Sequence, residues 1–311
     1  MKKIFITGIS GFVGKFLAES LLNLPYEIHG TVRESKSNDE TNTKILLHKV
    51  DLLKKEEVLH VLGDTKPDYI YHLAALTSPA QSFKEPLKVI YENALLELNI
   101  LESVRELNLL DTKILVTSSA EVYGKVESAD LPVNEKTPMR PLSPYGVSKI
   151  TQDFLALQNF LAYNTNVLRV RPFNHIGPGQ MPDFVVPAFA KQIAEIEKEL
   201  KEPVIKVGNL EAKRDFTDVR DIVRAYVLLM EKGEVGDVYN IGSGQSYKIL
   251  DILNMLLSMC TKEIKIAIDA NLLRPSDIPE TLCDNTKITS FTGWKPEISI
   301  EKSLKDTLDY W

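Results

Sequence analysis

Tyr145 and Lys149 lie four residues apart in the run Ser143-Pro-Tyr-Gly-Val-Ser-Lys149. On a helix the two side chains share one face. An ammonium beside a phenol favours phenolate and draws its pKa down from about 10. A phenol tuned in this way can give a proton to a carbonyl oxygen or take one from an alcohol. The spacing is also that of an ordinary helix-surface pair, so two further signals matter. Gly8-Ile-Ser-Gly11-Phe-Val-Gly14 follows an apolar run at 4–6 and precedes a helical pattern at 15–24. Glycines at such a turn let the backbone approach a pyrophosphate, which rests on the helix N-terminus. The spacing is G-x-x-G-x-x-G and not the usual G-x-G-x-x-G, and a tight turn with packing glycines is the plain alternative. Thr117-Ser-Ser119-Ala-Glu-Val-Tyr-Gly124 follows the apolar run 114–116 and reads as the end of a central strand. Ligands of open α/β sheets bind beyond the carboxyl ends of the strands. A Ser119 hydroxyl there could bond a substrate carbonyl beside Tyr145, although a serine-rich strand terminus would look the same.

The elements that must position these groups follow from periodicity. Strands are expected over 4–7, 27–31, 46–50, 69–73, 114–117 and 167–171, with helices between them, including 87–107 and 144–162. This alternation predicts an α/β fold, a Rossmann-type doubly wound parallel sheet. After the sixth strand comes Gly177-Pro-Gly-Gln-Met-Pro182, where the regularity fades. A smaller C-terminal substrate-binding domain is expected from there, with a helix over 185–200 and a strand over 204–207. The expected division is a dinucleotide-binding domain over 1–173, to which 215–241 returns, and a mainly substrate-binding part over 174–214 and 242–311. The latter holds a helix at 249–259, the segment 264–279 and a last helix at 298–310.

The 311 residues are 44% hydrophobic and 26% charged, with a net charge of −6 and no Lys/Arg-rich block. Those values argue against nucleic acid or an anionic membrane as partner and leave a small anionic molecule possible. Cys260 and Cys283 form no CxxC or Cys/His cluster, so no metal site is expected and both read as reduced packing residues. The apolar run after Lys3 is short and ends in glycines, unlike a signal peptide. No stretch approaches the 18 or more apolar residues of a membrane span. A cytoplasmic enzyme is the expectation.

Together the three signals resemble the extended short-chain dehydrogenase/reductase family. Further matching segments are His72-Leu-Ala-Ala75, Arg171-Pro-Phe-Asn174, Asp215-Phe-Thr-Asp-Val219, Tyr239-Asn-Ile-Gly242 and Thr292-Gly-Trp-Lys-Pro296, so the resemblance covers the chain. Within that family the chain resembles the GDP-4-keto-6-deoxy-mannose reductases, which make GDP-rhamnose. Phe173-Asn-His-Ile-Gly-Pro-Gly-Gln180, Lys206-Val-Gly-Asn-Leu-Glu-Ala-Lys-Arg-Asp215 and Leu273-Arg-Pro-Ser-Asp277 carry this part. The resemblance implies hydride transfer with a nicotinamide cofactor. It makes Tyr145 the acid/base, Lys149 its pKa-lowering partner and ribose contact, and Ser119 the group that polarises the carbonyl. It implies cofactor contacts at Gly8, Ser10, Gly11, Phe12, Val13 and Gly14, at Asp51 and Leu52, and at Leu73, Ala74 and Ala75. It implies substrate contacts at Asn174, His175, Lys191, Arg214 and Arg274, near a strand end at Val207-Gly-Asn209, with GDP as the nucleotide. It also implies a homodimer through the helices 87–107 and 144–162.

Two residues bear on the choice among relatives. An NAD enzyme usually carries an acidic residue at the tip of the second strand. Here Ile28-His-Gly-Thr-Val-Arg-Glu34 has Thr31 and Arg33 at that place, and arginine can grip a 2′-phosphate with two hydrogen bonds. NADP(H) is therefore expected, with NAD(H) the alternative and a solvated loop charge the bland reading of Arg33. Glu121 falls where the related 4,6-dehydratases keep the base that removes the C5 proton, or it is a capping carboxylate. A GDP-mannose 4,6-dehydratase and a sugar-nucleotide 4-epimerase thus stand beside the reductase.

Overall fold

A computed structural model describes residues 1–33, 44–273 and 278–311. In chain order the first half contains β1 (Lys2–Thr7), α1 (Phe12–Leu21), β2 (Tyr26–Val32), β3 (Ile45–Lys49), α2 (Lys55–Thr65), β4 (Tyr69–His72), α3 (Pro79–Lys84), α4 (Pro86–Glu106), β5 (Lys113–Thr117), α5 (Pro144–Tyr163) and β6 (Val167–Pro172). The second half contains β7 (Asn174–Ile176), α6 (Val185–Glu197), β8 (Val204–Val207), β9 (Lys213–Asp218), α7 (Val219–Lys232), β10 (Val238–Ile241), β11 (Ser246–Lys248), α8 (Ile249–Ser258), β12 (Lys265–Ile268), α9 (Thr286–Thr292) and α10 (Ile300–Asp309).

Seven strands form one sheet in the order β3-β2-β1-β4-β5-β6-β10. Every neighbouring pair is parallel. This is the Rossmann order with one strand added, and its direction reverses between β1 and β4, where ligands of such sheets bind. Alternate residues face opposite sides. Ile4 and Ile6 pack with Leu17 of α1 and with Ile222, Tyr226 and Leu229 of α7. Phe5, Ile70 and Ile114 pack with Val58 of α2 and with Leu96 and Ile100 of α4. Burial on both faces explains why these strands read as continuous apolar runs.

The remaining strands are short. β9 lies between β7, parallel to it, and antiparallel β11, and β8 pairs in parallel with β12. A separate core of Ile193, Val207, Ile252, Leu253 and Leu304 lies under them. Residues 219–241 join the large sheet through α7 and β10, and Trp294 is fully buried in the same core. Trp294 Nε1 donates to Asp221 O at 2.9 Å.

The first helix departs from expectation. It begins at Phe12, three residues before position 15, and ends at Leu21. Gly14 is the cause. A Cβ there would lie 2.3 Å from Gly8 O and 2.7 Å from Ile9 O, so only glycine lets the first turn settle onto the strand end. Among the described residues no helix is long and apolar enough to cross a membrane.

Candidate active site

The carboxyl ends of the central strands open onto a cleft of about 1190 Å³ that continues to α6 and β8. Its floor is the glycine turn. Gly8 has φ +70°, a left-handed conformation natural to glycine, and a Cβ there would stand 3.1 Å from Ala74 N. Gly11 begins α1 with no side-chain cap, and the first turn carries no acidic residue. The N-terminal N–H groups and the helix dipole are thus left for an anion. This cradle fits the diphosphate of a dinucleotide. Thr7 builds the facing wall, because its Oγ1 accepts Leu73 N and Ala74 N, each at 3.1 Å. With those bonds made, its own proton goes to His72 Nδ1 at 2.9 Å. Burial pushes His72 down to about 3, so the imidazole is neutral, with its proton on Nε2.

Gly8, Ser10, Gly11, Phe12, Val13 and Gly14 all line the cleft. So do Leu52, Leu73, Ala74 and Ala75. Arg33 reaches its rim, with a side chain 59% exposed and 3.6 Å from Glu92. Asp51 is not brought to the cleft, although Val50 and Leu52 on either side are. Its carboxylate turns back to accept Leu53 N at 3.1 Å and closes the turn before α2.

Ser143 starts α5 by accepting Gly146 N at 3.0 Å, with Pro144 in the first turn. Tyr145 therefore sits at the helix start and Lys149 one turn on. A Cβ on Gly146 would come 2.8 Å from Glu121 O, so this glycine lets α5 press on the turn that follows β5. Within that turn Ser119 Oγ accepts Glu121 N at 3.2 Å. Ser119, Glu121, Tyr145 and Lys149 all line the cleft.

The phenol and the ammonium do not behave as the spacing predicts. Burial raises Tyr145 well above the ordinary phenol value, the Ser119 hydroxyl opposes this, and the Glu121 carboxylate adds to it. Lys149 Nζ is 5.9 Å from the Tyr145 ring centroid and donates to Thr117 O at 2.8 Å and Gln152 Oε1 at 2.7 Å. Burial lowers the ammonium to about 8. Desolvation, which a sequence pattern does not register, outweighs the expected pull of Lys149 on the phenol. Tyr145 thus holds its proton at neutral pH.

On the far side, Asn174, His175, Lys191 and Arg214 line the cleft. His175 also packs flat on Phe12, with centroids 6.1 Å apart and planes 2° apart, and its Nδ1 donates to Phe173 O at 3.1 Å. It joins β7 to the start of α1. Lys191 Nζ lies 4.9 Å above the Trp311 ring. Arg214 donates to Lys213 O at 2.8 Å and Ile278 O at 2.6 Å. Arg274 lies outside the described residues. Val207, Gly208 and Asn209 line the far end beside Asp269 and Leu272.

Sequence reasoning missed Tyr226 and Asp269, both on the cleft wall. Tyr226 belongs to the apolar stripe of α7, where it reads as core. Asp269 follows a four-residue strand too short to stand out.

A family model described as GDP-mannose 4,6 dehydratase matches residues 5–307. A GDP-6-deoxy-D-mannose reductase of Pseudomonas aeruginosa is 35% identical over 310 residues, covering 100% of this chain and 97% of its own. A GDP-mannose 4,6-dehydratase of Vibrio cholerae serotype O1 is 27% identical, covering 98% of this chain and 92% of its own. The solved structure of RMD from Pseudomonas aeruginosa complexed with NADPH is similar at TM-score 0.86 and 35% identity, over 100% of this chain and 99% of the other.

Proposed function

The chain belongs to the GDP-mannose 4,6-dehydratase family, and on that premise we propose that it reduces the C4 keto group of GDP-4-keto-6-deoxy-D-mannose to give GDP-D-rhamnose. The observation that carries this reading is Tyr145, a phenol that burial keeps protonated, lining the same cleft as Ser119, Lys149 and the glycine cradle. A reductase needs an acid at that point.

Bound NADPH supplies the hydride that reaches C4. Ser119 donates to the C4 oxygen and polarises it. Tyr145 gives that oxygen its phenolic proton, so the alkoxide never stands free. Lys149 steadies the phenolate left behind, and water restores its proton. Gly8, Ser10, Gly11, Phe12, Val13 and Gly14 hold the cofactor diphosphate, the small residues beside Leu73, Ala74 and Ala75, let the protein backbone pass close to the cofactor, and Leu52 flanks the adenine. Arg33 takes the 2′-phosphate, which favours NADP(H) over NAD(H). Asn174, His175, Lys191, Arg214 and Arg274 serve the GDP-sugar. On this reading 1–173 and 215–241 serve the cofactor, while 174–214 and 242–311 mainly serve the substrate, in a cytoplasmic homodimer.

Glu121 favours a second reading. Its carboxylate lies near enough to raise Tyr145, where a C5 base would be useful to a 4,6-dehydratase. The test is NADPH oxidation with GDP-4-keto-6-deoxy-D-mannose, beside GDP-mannose without reductant. NADPH consumption with the keto sugar alone supports the reductase. A 4-keto product from GDP-mannose, with no NADPH consumed, replaces it by the dehydratase.

A further inference from the structure

Lys191 is half-buried on α6 and lines the cleft. Its spacing offers it Glu195 as a partner one turn on. That carboxylate is taken by Lys201, at 2.6 Å. Among the described residues Lys191 forms no ion pair. What meets its ammonium is an aromatic face, because Nζ lies 4.9 Å from the Trp311 ring centroid. The ring attracts a cation through its quadrupole and, unlike a carboxylate, leaves the charge uncancelled.

Trp311 is itself held in place. Its N–H donates to Leu308 O at 3.2 Å, which carries the last turn of α10 through to it. Its carbonyl accepts the Lys198 ammonium. Lys198 follows Lys191 by about two helical turns and so falls on the same side of α6. The tail thus meets α6 twice, with its backbone at Lys198 and its ring at Lys191. Tyr310 braces the ring edge-on, with centroids 5.5 Å apart. Below them α6 and α10 share a core through Ile193 and Leu304.

The indole Nε1 is buried and makes no hydrogen bond. A buried donor without a partner is costly, and an indole usually sits where its N–H is satisfied. A leucine or phenylalanine would fill the place with no donor to bury. The ring is therefore placed for its face, and tryptophan offers a cation the best one. A lysine stem is long and flexible, so fixing its head in advance removes part of the entropy cost of binding an anion.

We propose that Trp311 is a positioning residue of the substrate site, whose indole face holds the Lys191 ammonium, charged and free of any carboxylate, for the diphosphate of the sugar nucleotide. This rests on the reading of Lys191 as a contact of that substrate, and not on which reaction the site performs.

The test is GDP binding to the full chain, followed by calorimetry. Trp311→Leu removes the face and should weaken GDP about three- to tenfold, and Trp311→Phe should recover part of the loss. Lys191→Met should weaken GDP at least as much, and Trp311→Leu added to it should cost nothing further. With the keto sugar, Trp311→Leu should raise KM by the same factor and keep kcat within about threefold. Unchanged GDP affinity in Trp311→Leu overturns the proposal. So does a loss that persists in full in the Lys191→Met background, which would make Trp311 merely structural. If Trp311→Leu does not fold, the wild type decides. Its Lys191 Cε protons, identified by their loss in Lys191→Met, should lie upfield of the other lysines through the indole ring current, with and without GDP. An ordinary lysine position overturns the proposal. If the wild type binds UDP in place of GDP, the guanine reading fails alone and the same variants decide with UDP. If it binds no nucleoside diphosphate, both readings fall.

Discussion

Tyr145 is held between burial, which keeps its proton on, and the Ser119 hydroxyl, which eases it off. A group poised this way is an acid awaiting a developing oxyanion. Tyr145→Phe keeps the ring and its packing and removes only the hydroxyl that carries the proton. It should lower kcat by about 10²–10⁴ while NADPH affinity, read by fluorescence titration, changes by less than about threefold. Turnover near the wild-type value would remove Tyr145 from that role. Arg33 is largely exposed and only loosely paired with Glu92, so a phosphate can compete for it. Losing a charge-assisted bond of about 1.5–3 kcal/mol, Arg33→Ala should weaken NADPH about 10- to 100-fold and NADH much less. Equal effects on the two would assign Arg33 to the rim alone.

At the scale of elements, α4 and α5 each show two faces. Leu96, Ile100 and Ala156 are buried inward. Outward, Leu87 and Tyr91 of α4 and Phe154 and Leu161 of α5 are 80%, 61%, 52% and 70% exposed. Large apolar side chains on two adjacent helices form the kind of patch that marks an interface. The expected partner is a second copy of the chain. Light scattering after size exclusion should give the mass of a dimer, and Phe154→Asp with Leu161→Asp should give a monomer. A monomeric wild type would sink this expectation. The same two helices were expected from sequence almost to their ends, because 3.6-residue periodicity is a local property. The turn at α1 was misplaced because Gly14 enters its helix through a contact with Gly8 and Ile9, not through propensity.

At the scale of the molecule, buried histidines tie stability to pH. His72 titrates near 6.5 when unfolded and is pushed down to about 3 in the fold by burial and by Lys149. Between those values the unfolded chain binds more protons than the native one, so stability falls as pH drops. The contribution is complete above about pH 6.5 and is lost progressively toward 3. His72→Gln, which can still accept the Thr7 hydroxyl, should flatten the fall in urea-unfolding free energy between pH 7 and pH 5 relative to the wild type. Identical slopes in both proteins would show that His72 does not carry the effect.

The chain by itself determined the sheet, the glycine cradle and the helix that carries Tyr145 and Lys149. Each rests on short-range patterns: period two in strands buried on both faces, period 3.6 in helices, and glycine where a Cβ collides. Tertiary structure decided the rest. It turned Asp51 back on its own turn, set His175 flat on Phe12, and brought Tyr226 of α7 to the cleft wall. It also reversed the expected effect on the Tyr145 phenol. Those outcomes depend on desolvation and on charge balance among groups far apart in the chain. Such energies arise only once the fold has excluded water from between them.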